Sequence, residues 1–322
     1  MKKRILVTRK LPGPAVEQMS EEFEVVLNPH DRDLGYDELL GMAAGCAGLL
    51  SMLSNRIDEA FMAANPGLKV VSNYAVGYNN IDLHAARKHG IVVTNTPGVL
   101  TETTADLAWA LIMAVSRRVV EADRYTREGL FTGWAPEMFL GRDVFGKTLG
   151  IVGMGRIGLA VARRASGFDM RVIYYSRSAS PEAENELGAE RIKNLDSLVS
   201  KADFISLHIP LAPETHHLID SRRLALMKST AFLINTARGP VVDEEALAKA
   251  LAGGSIAGAG FDVYEEEPRL HPRLAELPNT VLLPHIGSAS TETRIRMAQI
   301  AADNLAAVLR GETPAHPVPL PC

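Results

Sequence analysis

Between Thr148 and Gly158 the chain reads Thr-Leu-Gly-Ile-Val-Gly-Met-Gly-Arg-Ile-Gly, a short apolar run entering three glycines in the spacing G-x-G-x-x-G. Few arrangements accommodate this pattern, because a strand must end in a tight turn and a helix must open against it at once. Gly153 serves the turn, Gly155 lets a ligand approach the backbone, and Gly158 lets helix and strand lie close. Leu149, Ile151 and Val152 read as a buried strand, and Ile157, Val161 and Ala165 recur at helical spacing until Gly167, where the helix is expected to stop. A helix opening at Arg156 aims unpaired amides and a positive dipole end at an anion. The loop is therefore expected to hold a dinucleotide pyrophosphate through Gly153, Gly155, Arg156, Ile157 and Gly158. An overlapping stretch, Gly141 to Thr148, matches the nucleoside-triphosphate loop G-x-x-x-x-G-K-[ST]. Context rejects that match, since the triphosphate loop needs a helix at its lysine and Lys147 leads into a strand.

On both sides of this loop, short β-branched runs alternate with helical stretches. Before it, Ile5 to Val7, Glu24 to Leu27, Gly48 to Ser51, Lys69 to Ser72 and Ile91 to Thr94 read as strands. After it come Arg171 to Tyr175, Asp203 to His208, Ala231 to Asn235, Ala257 to Phe261 and Val281 to Leu283. Such alternation argues for parallel sheets. Thr101 to Arg118 is expected to be a connecting helix, and Ala289 to Leu309 one long helix that carries the chain back to its first half. The expected fold is thus α/β, with two doubly wound parallel-sheet domains. A Rossmann-type cofactor domain over 98–286 is inserted in a flavodoxin-like substrate domain made of 1–97 and 287–322.

The 322 residues carry a formal charge of −4, which provides no broad basic surface for nucleic acid. No apolar run approaches the roughly 20 residues of a membrane helix. The first residues, Met-Lys-Lys-Arg-Ile-Leu-Val-Thr-Arg-Lys, hold three apolar positions before charge returns, so they read as a strand rather than a signal peptide. Cys46 and Cys322 make no disulfide framework, and the cytoplasm is the expected location.

In open α/β sheets ligands bind beyond the carboxyl ends of the strands. Three residues stand there: Arg238 after Phe232-Leu-Ile-Asn, Glu267 after Gly260-Phe-Asp-Val, and His285 after Val281-Leu-Leu-Pro. Singly each has a bland explanation, but together they form a complete set for reducing a small keto acid. A guanidinium fixes a carboxylate with two parallel hydrogen bonds. An imidazole exchanges the alcohol proton near neutral pH. A carboxylate on its other ring nitrogen orients the ring and favours the protonated form, and a nicotinamide carries the hydride. No metal is expected: His216 and His217 are adjacent, and no H-E-x-x-H or cysteine pair occurs. A G-x-S-x-G nucleophile elbow is also missing from the sequence. Where an NAD site usually has an acidic residue, about 20 residues past the first glycine, this chain has Ser176-Arg177-Ser178. Hydroxyls and a guanidinium suit a 2′-phosphate, so NADPH is the expected cofactor, with NAD as an alternative.

The segments Ala75 to Asp82, Thr96-Pro-Gly98, Gly153 to Gly158, Asn235 to Gly239, Gly260-Phe-Asp-Val, Glu266-Glu267-Pro268 and Pro284 to Ser288 resemble the D-isomer-specific 2-hydroxyacid dehydrogenases over almost the whole chain. The resemblance implies that Arg238, Glu267 and His285 are catalytic and that amides around Val76 and Gly77 hold the substrate carboxylate. It implies that Leu53 packs over the substrate, and that Thr104, Pro210, Thr215, Thr236, Ala237, Asp262 and Gly287 join Arg238 and His285 against the cofactor. Within the family the chain resembles the glyoxylate and hydroxypyruvate reductases, through Arg9 to Pro12, Phe131 to Pro136 and Ser176 to Ser178. That likeness implies a homodimer, with Trp134 either reaching a neighbouring active site or serving only as an interface aromatic. The family's fold also serves as a dinucleotide-sensing corepressor, an alternative that the lack of long recruitment tails disfavours.

Overall fold

In the computed structural model, which describes residues 2–321, the β-branched runs pair as two sheets; Cys322 lies outside the described residues. The first sheet contains β1 (Arg4–Val7), β2 (Glu24–Leu27), β3 (Gly48–Ser51), β4 (Val70–Asn73) and β5 (Val92–Thr94), in the order β2-β1-β3-β4-β5. The second contains β6 (Thr148–Val152), β7 (Arg171–Tyr175), β8 (Glu190–Arg191), β9 (Phe204–Leu207), β10 (Phe232–Asn235), β11 (Gly258–Phe261) and β12 (Thr280–Leu282), in the order β12-β11-β10-β9-β6-β7-β8. All strand pairs in both sheets are parallel. These are the two doubly wound orders, and in each the winding reverses next to the first strand, at β1/β3 and at β6/β9.

Two compact units result: Met1–Leu100 with Ser288–Cys322, and Thr101–Gly287. Parallel strands need covered faces, and helices supply the cover. In the first unit the long helix Thr291–Arg310 lays Ala298, Ala301, Ala302, Leu305 and Leu309 against Ile5, Val7, Leu50 and Val70. Its small residues permit close approach: a Cβ on Gly48 would stand 3.2 Å from Leu309 and 3.3 Å from Leu305. In the second unit, one face of the sheet packs on Leu198, Leu224, Leu247 and Leu251, and the other on Leu111, Ile112, Val161 and Ala165. Each buried Leu, Ile or Phe contributes about 1.5–3 kcal/mol, so both sheets are firmly anchored. No described helix is long and apolar enough to cross a membrane.

Local differences from the sequence expectations have local causes. The connecting helix ends at Ser116, where the Ser116 hydroxyl bonds back to Ile112 O. Arg118 then turns left-handed (φ 55°), and a separate helix, Val119–Arg127, begins with no buried residue. Gly167 does not stop the helix that opens at Arg156, which runs to Ala165. That helix tightens at Ser166–Phe168, and the chain reverses at Asp169 (φ 51°). Ser290 caps the long helix through the Thr293 amide, so it opens at Thr291 rather than Ala289. β8 is only two residues long, too short to leave a pattern.

Candidate active site

The glycine loop is shaped by contacts that exclude side chains. Gly153 lies at φ +100°, and a Cβ there would meet His208 O at 2.4 Å; a Cβ on Gly158 would meet Gly153 O at 2.1 Å. Around Gly155 there is open space. Gly155 caps the helix Arg156–Ala165 with no side chain, leaving the first-turn amides to a ligand. A loop closed to Cβ atoms on the protein side and open at Gly155 beside an uncapped helix fits a dinucleotide pyrophosphate. The rejected triphosphate loop does run into a strand, with β6 starting at Thr148.

Pro210 and Thr215, from the turn after β9, are joined: Thr215 Oγ1 donates to Pro210 O (2.8 Å) and accepts from the Ala212 amide (2.8 Å). After β10, Asn235 ties the next loop, accepting from the Ala237 amide (3.0 Å) and donating to Arg238 O (2.9 Å). Thr236 Oγ1 is buried there without a partner among the described residues, a hydroxyl placed to bond an incoming group. At the turn after β7, Ser176 is half-buried while Arg177 and Ser178 are exposed.

The proposed catalytic set converges on the carboxyl edge of the second sheet. His285 Nδ1 is 2.8 Å from Glu267 Oε2, both side chains being about a third exposed (35% and 37%). The other carboxylate oxygen, Oε1, accepts from the Tyr264 amide at 3.0 Å. Burial raises the Glu267 carboxyl, but the His285 hydrogen bond and charge, the Tyr264 amide and the Arg238 charge outweigh it and hold its pKa below the ordinary range. Arg238 donates from Nη1 to Ala237 O (2.6 Å). Burial lowers its pKa while the Glu267 charge opposes the shift. Gly239 brings the two loops together, because a Cβ on it would lie 1.8 Å from the Tyr264 carbonyl carbon; only glycine fits between Arg238 and the segment carrying Glu267.

His285 sits at φ +54°, a left-handed conformation that costs about 1–3 kcal/mol and persists only where its surroundings enforce it. Asp262, 1% exposed, is what enforces it. Its carbonyl accepts from the His285 amide (3.0 Å), and its two carboxylate oxygens accept from the amides of Ile286 and Gly287 (2.7 Å each). Burial raises the Asp262 pKa despite these amides and the nearby His285. Thr104 Oγ1 completes the clamp by donating to Gly287 O (3.0 Å). Three residues expected against a cofactor, Thr104, Asp262 and Gly287, thus also hold the histidine loop.

In the first unit, the carbonyls of Ala75, Val76 and Gly77 are each captured, by the Thr96 amide (2.8 Å), Asn95 Nδ2 (2.7 Å) and Asn73 Nδ2 (2.8 Å). A trans peptide sets its N–H opposite its C=O, so the amides of Val76, Gly77 and Tyr78 face away from these partners. None of the three donates to an acceptor among the described residues. Leu53 is half-buried in a turn tied by Asn80, which donates to Met52 O (3.1 Å) and Asn55 O (3.0 Å). Trp134 is 83% exposed. The structure also gathers His216, His217 and Glu265, with His217 bonded to Glu265 and the two rings stacked 4.1 Å apart at 28°.

The sequence reading missed Asn73, Asn95, Tyr264 and Arg191, the last bonded to the carbonyls of Ser176 and Arg177. Asparagine just after a strand reads as a turn residue, and Tyr264 acts through its backbone, so neither left a usable signal.

Residues 109–287 match the family model described as D-isomer specific 2-hydroxyacid dehydrogenase, NAD binding domain. Over 318 residues the chain is 52% identical to a glyoxylate reductase of Thermococcus kodakarensis, covering 98% of this chain and 95% of that protein. A solved protein from Thermus thermophilus superposes with a TM-score of 0.92 at 50% identity, covering 98% of this chain and 100% of the other. An NADPH-dependent glyoxylate/hydroxypyruvate reductase from Sinorhizobium meliloti, solved with NADP and malonate, superposes with a TM-score of 0.86 at 35% identity, covering 99% and 97%.

Proposed function

This chain belongs to the D-isomer specific 2-hydroxyacid dehydrogenases, and from that premise we propose that it reduces glyoxylate, and with it hydroxypyruvate, using NADPH. It is a dehydrogenase that uses a nicotinamide dinucleotide. The observation that carries the proposed chemistry is the His285–Glu267 pair at 2.8 Å, in a loop next to Arg238; the choice of substrate follows the glyoxylate reductases to which the chain is similar.

Arg238, with one guanidinium nitrogen on Ala237 O, keeps further N–H groups for a substrate carboxylate and helps to polarise the adjacent carbonyl. Glu267 accepts from Nδ1 of His285, which leaves Nε2 as the nitrogen that gives a proton. The glycine loop would hold the dinucleotide at its pyrophosphate, and the cofactor's reduced nicotinamide would supply the hydride for the carbonyl carbon. As the carbonyl oxygen gains negative charge, His285 Nε2 donates its proton to it, and the neutral ring keeps Nδ1–H on Glu267. The product is the 2-hydroxy acid. Consumption of reduced cofactor on adding glyoxylate, hydroxypyruvate, pyruvate or longer keto acids tests the proposal; faster turnover of pyruvate than of glyoxylate would overturn the substrate choice.

Ser176, Arg177 and Ser178 support the preference for NADPH. A hydrogen bond to a charged group contributes about 1.5–3 kcal/mol, so Arg177→Ala is expected to weaken NADPH binding roughly 10- to 100-fold and to leave NADH nearly unchanged. Dissociation constants for both cofactors check this, and an equal loss for both would remove Arg177 from the phosphate site.

We also propose a cytoplasmic homodimer. The buried free thiol of Cys46 suits a reducing compartment. Phe131 (55% exposed), Trp134, Leu140 (66%) and Phe145 (68%) are large apolar side chains left exposed within one stretch of the chain, and exposed apolar surface of this size is a mark of association surfaces. Sedimentation of the unaltered chain should give a dimer and Phe131→Asp combined with Leu140→Asp a monomer; an unaltered chain that sediments as a monomer counts against the dimer.

A further inference from the structure

The turn after β7 is held from behind. Arg191, in the edge strand β8, sends Nη2 to the carbonyl oxygens of both Ser176 (3.0 Å) and Arg177 (2.8 Å). At the far end of the turn, the Ser180 amide donates to the hydroxyl of the fully buried Tyr174 (2.9 Å), which is itself bonded to Glu184. Between these anchors Arg177, Ser178 and Ala179 are exposed.

The direction of the carbonyls sets that of the amides. With Ser176 O and Arg177 O drawn toward Arg191, the trans peptides turn the N–H groups of Arg177 and Ser178 to the opposite side. Neither amide donates to an acceptor among the described residues. Two successive free amides form an anion-binding concavity, and this one carries the hydroxyls of Ser176 and Ser178 and the guanidinium of Arg177 on the same three residues. Arg191, itself half-buried, adds a second positive charge, and its Nε is buried without a partner among the described residues. A buried donor with an unmade hydrogen bond is costly, and an acceptor that settles nearby relieves it.

We propose that Arg191 determines cofactor specificity as a positioning residue: it builds the 176–178 turn into a receptor for a phosphomonoester on the adenosine ribose and supplies the charge behind it. The inference rests on the proposed use of NADPH and assigns its cause to a residue that does not itself touch the phosphate. It extends to any adenosine 2′-phosphate, whether free or part of the dinucleotide.

Calorimetric titration of the full chain with NADPH, NADH, adenosine 2′-phosphate and adenosine 5′-phosphate tests it. Arg191→Met keeps the aliphatic stem and removes charge and donors. It is expected to weaken NADPH and the 2′-phosphate about 10- to 100-fold, with NADH and the 5′-phosphate changed by less than about threefold. Arg191→Lys, the more conservative change, restores charge without the fork and should recover part of the lost affinity with its melting temperature preserved. Equal weakening of all four ligands in both variants, or unaltered NADPH binding in either, overturns the role of Arg191 while leaving the cofactor preference standing. Tighter binding of NADH than NADPH by the unaltered chain overturns both.

Discussion

Replacing His285 with asparagine is expected to lower kcat for keto-acid reduction by roughly 10²- to 10⁴-fold, the range that a positioned general acid supplies, with dinucleotide affinity almost unchanged. The expectation follows from a division of the ring: Nδ1 is engaged by Glu267 at 2.8 Å, so only Nε2 can serve the reacting oxygen. Asparagine preserves tolerance of the left-handed backbone at this position (φ +54°), so a lost rate can be assigned to the lost proton donor rather than to the loop. Glu267→Gln provides the companion measurement. Glu267 has a depressed pKa and stays ionised from mildly acidic pH upward, so Nδ1 of the ring faces a charged acceptor. Glutamine keeps the size of the side chain and removes that charge, and kcat is expected to fall by roughly 10-fold, the partial exposure of both partners keeping the effect at the low end. A His285→Asn or Glu267→Gln enzyme with full turnover would refute the proton relay.

The second large effect is expected at Arg238. Arg238→Lys should lower kcat/KM for glyoxylate by roughly 100-fold, since lysine loses the two-pronged hydrogen bond, and each such bond to a charge contributes about 1.5–3 kcal/mol. Arginine remains charged here although burial lowers its pKa, whereas a lysine ammonium gives up its proton far more readily on desolvation. The lysine variant should therefore lose activity more steeply above neutral pH than the parent. If the contact tightens as the carbonyl is reduced, kcat falls together with kcat/KM; if it is the same in ground and transition states, KM alone rises. Steady-state kinetics over a pH series, with oxalate as a competitive carboxylate probe, distinguish these outcomes. Unchanged kcat/KM and oxalate inhibition would leave Arg238 a purely structural role.

The elements of the fold were readable where burial imposed a pattern. β3 and β7 occupy the stretches that their apolar runs mark, because strands covered on both faces carry continuous hydrophobic sequence. The proposed reacting residues were readable as candidates because each follows a strand at the edge where open sheets bind ligands. Hidden were the groups that aim other groups. Arg191 lies 15 residues beyond Ser176 in a two-residue strand, and no periodicity links an arginine to the carbonyls it holds. Asp262 looks in sequence like one acid within Gly260-Phe-Asp-Val; its burial and its three bonds to the 285–287 loop arise only when β11 and β12 lie side by side. Left-handed backbone at His285 is likewise invisible, since histidine, though enriched in that conformation, adopts it in only a small minority of cases.

The captured carbonyls of Ala75, Val76 and Gly77 bear on how freely this chain can vary. Whatever anion meets the amides of Val76, Gly77 and Tyr78 is met by main chain, which every residue except proline supplies. Substitutions at Val76 and Tyr78 can therefore alter the bulk and polarity around a ligand without erasing the amides that receive it. Asn73 and Asn95 have no such latitude, because they fix which way those peptides face. Here tolerance to mutation runs opposite to proximity: residues whose backbone would touch the ligand can drift, while the two asparagines behind them cannot.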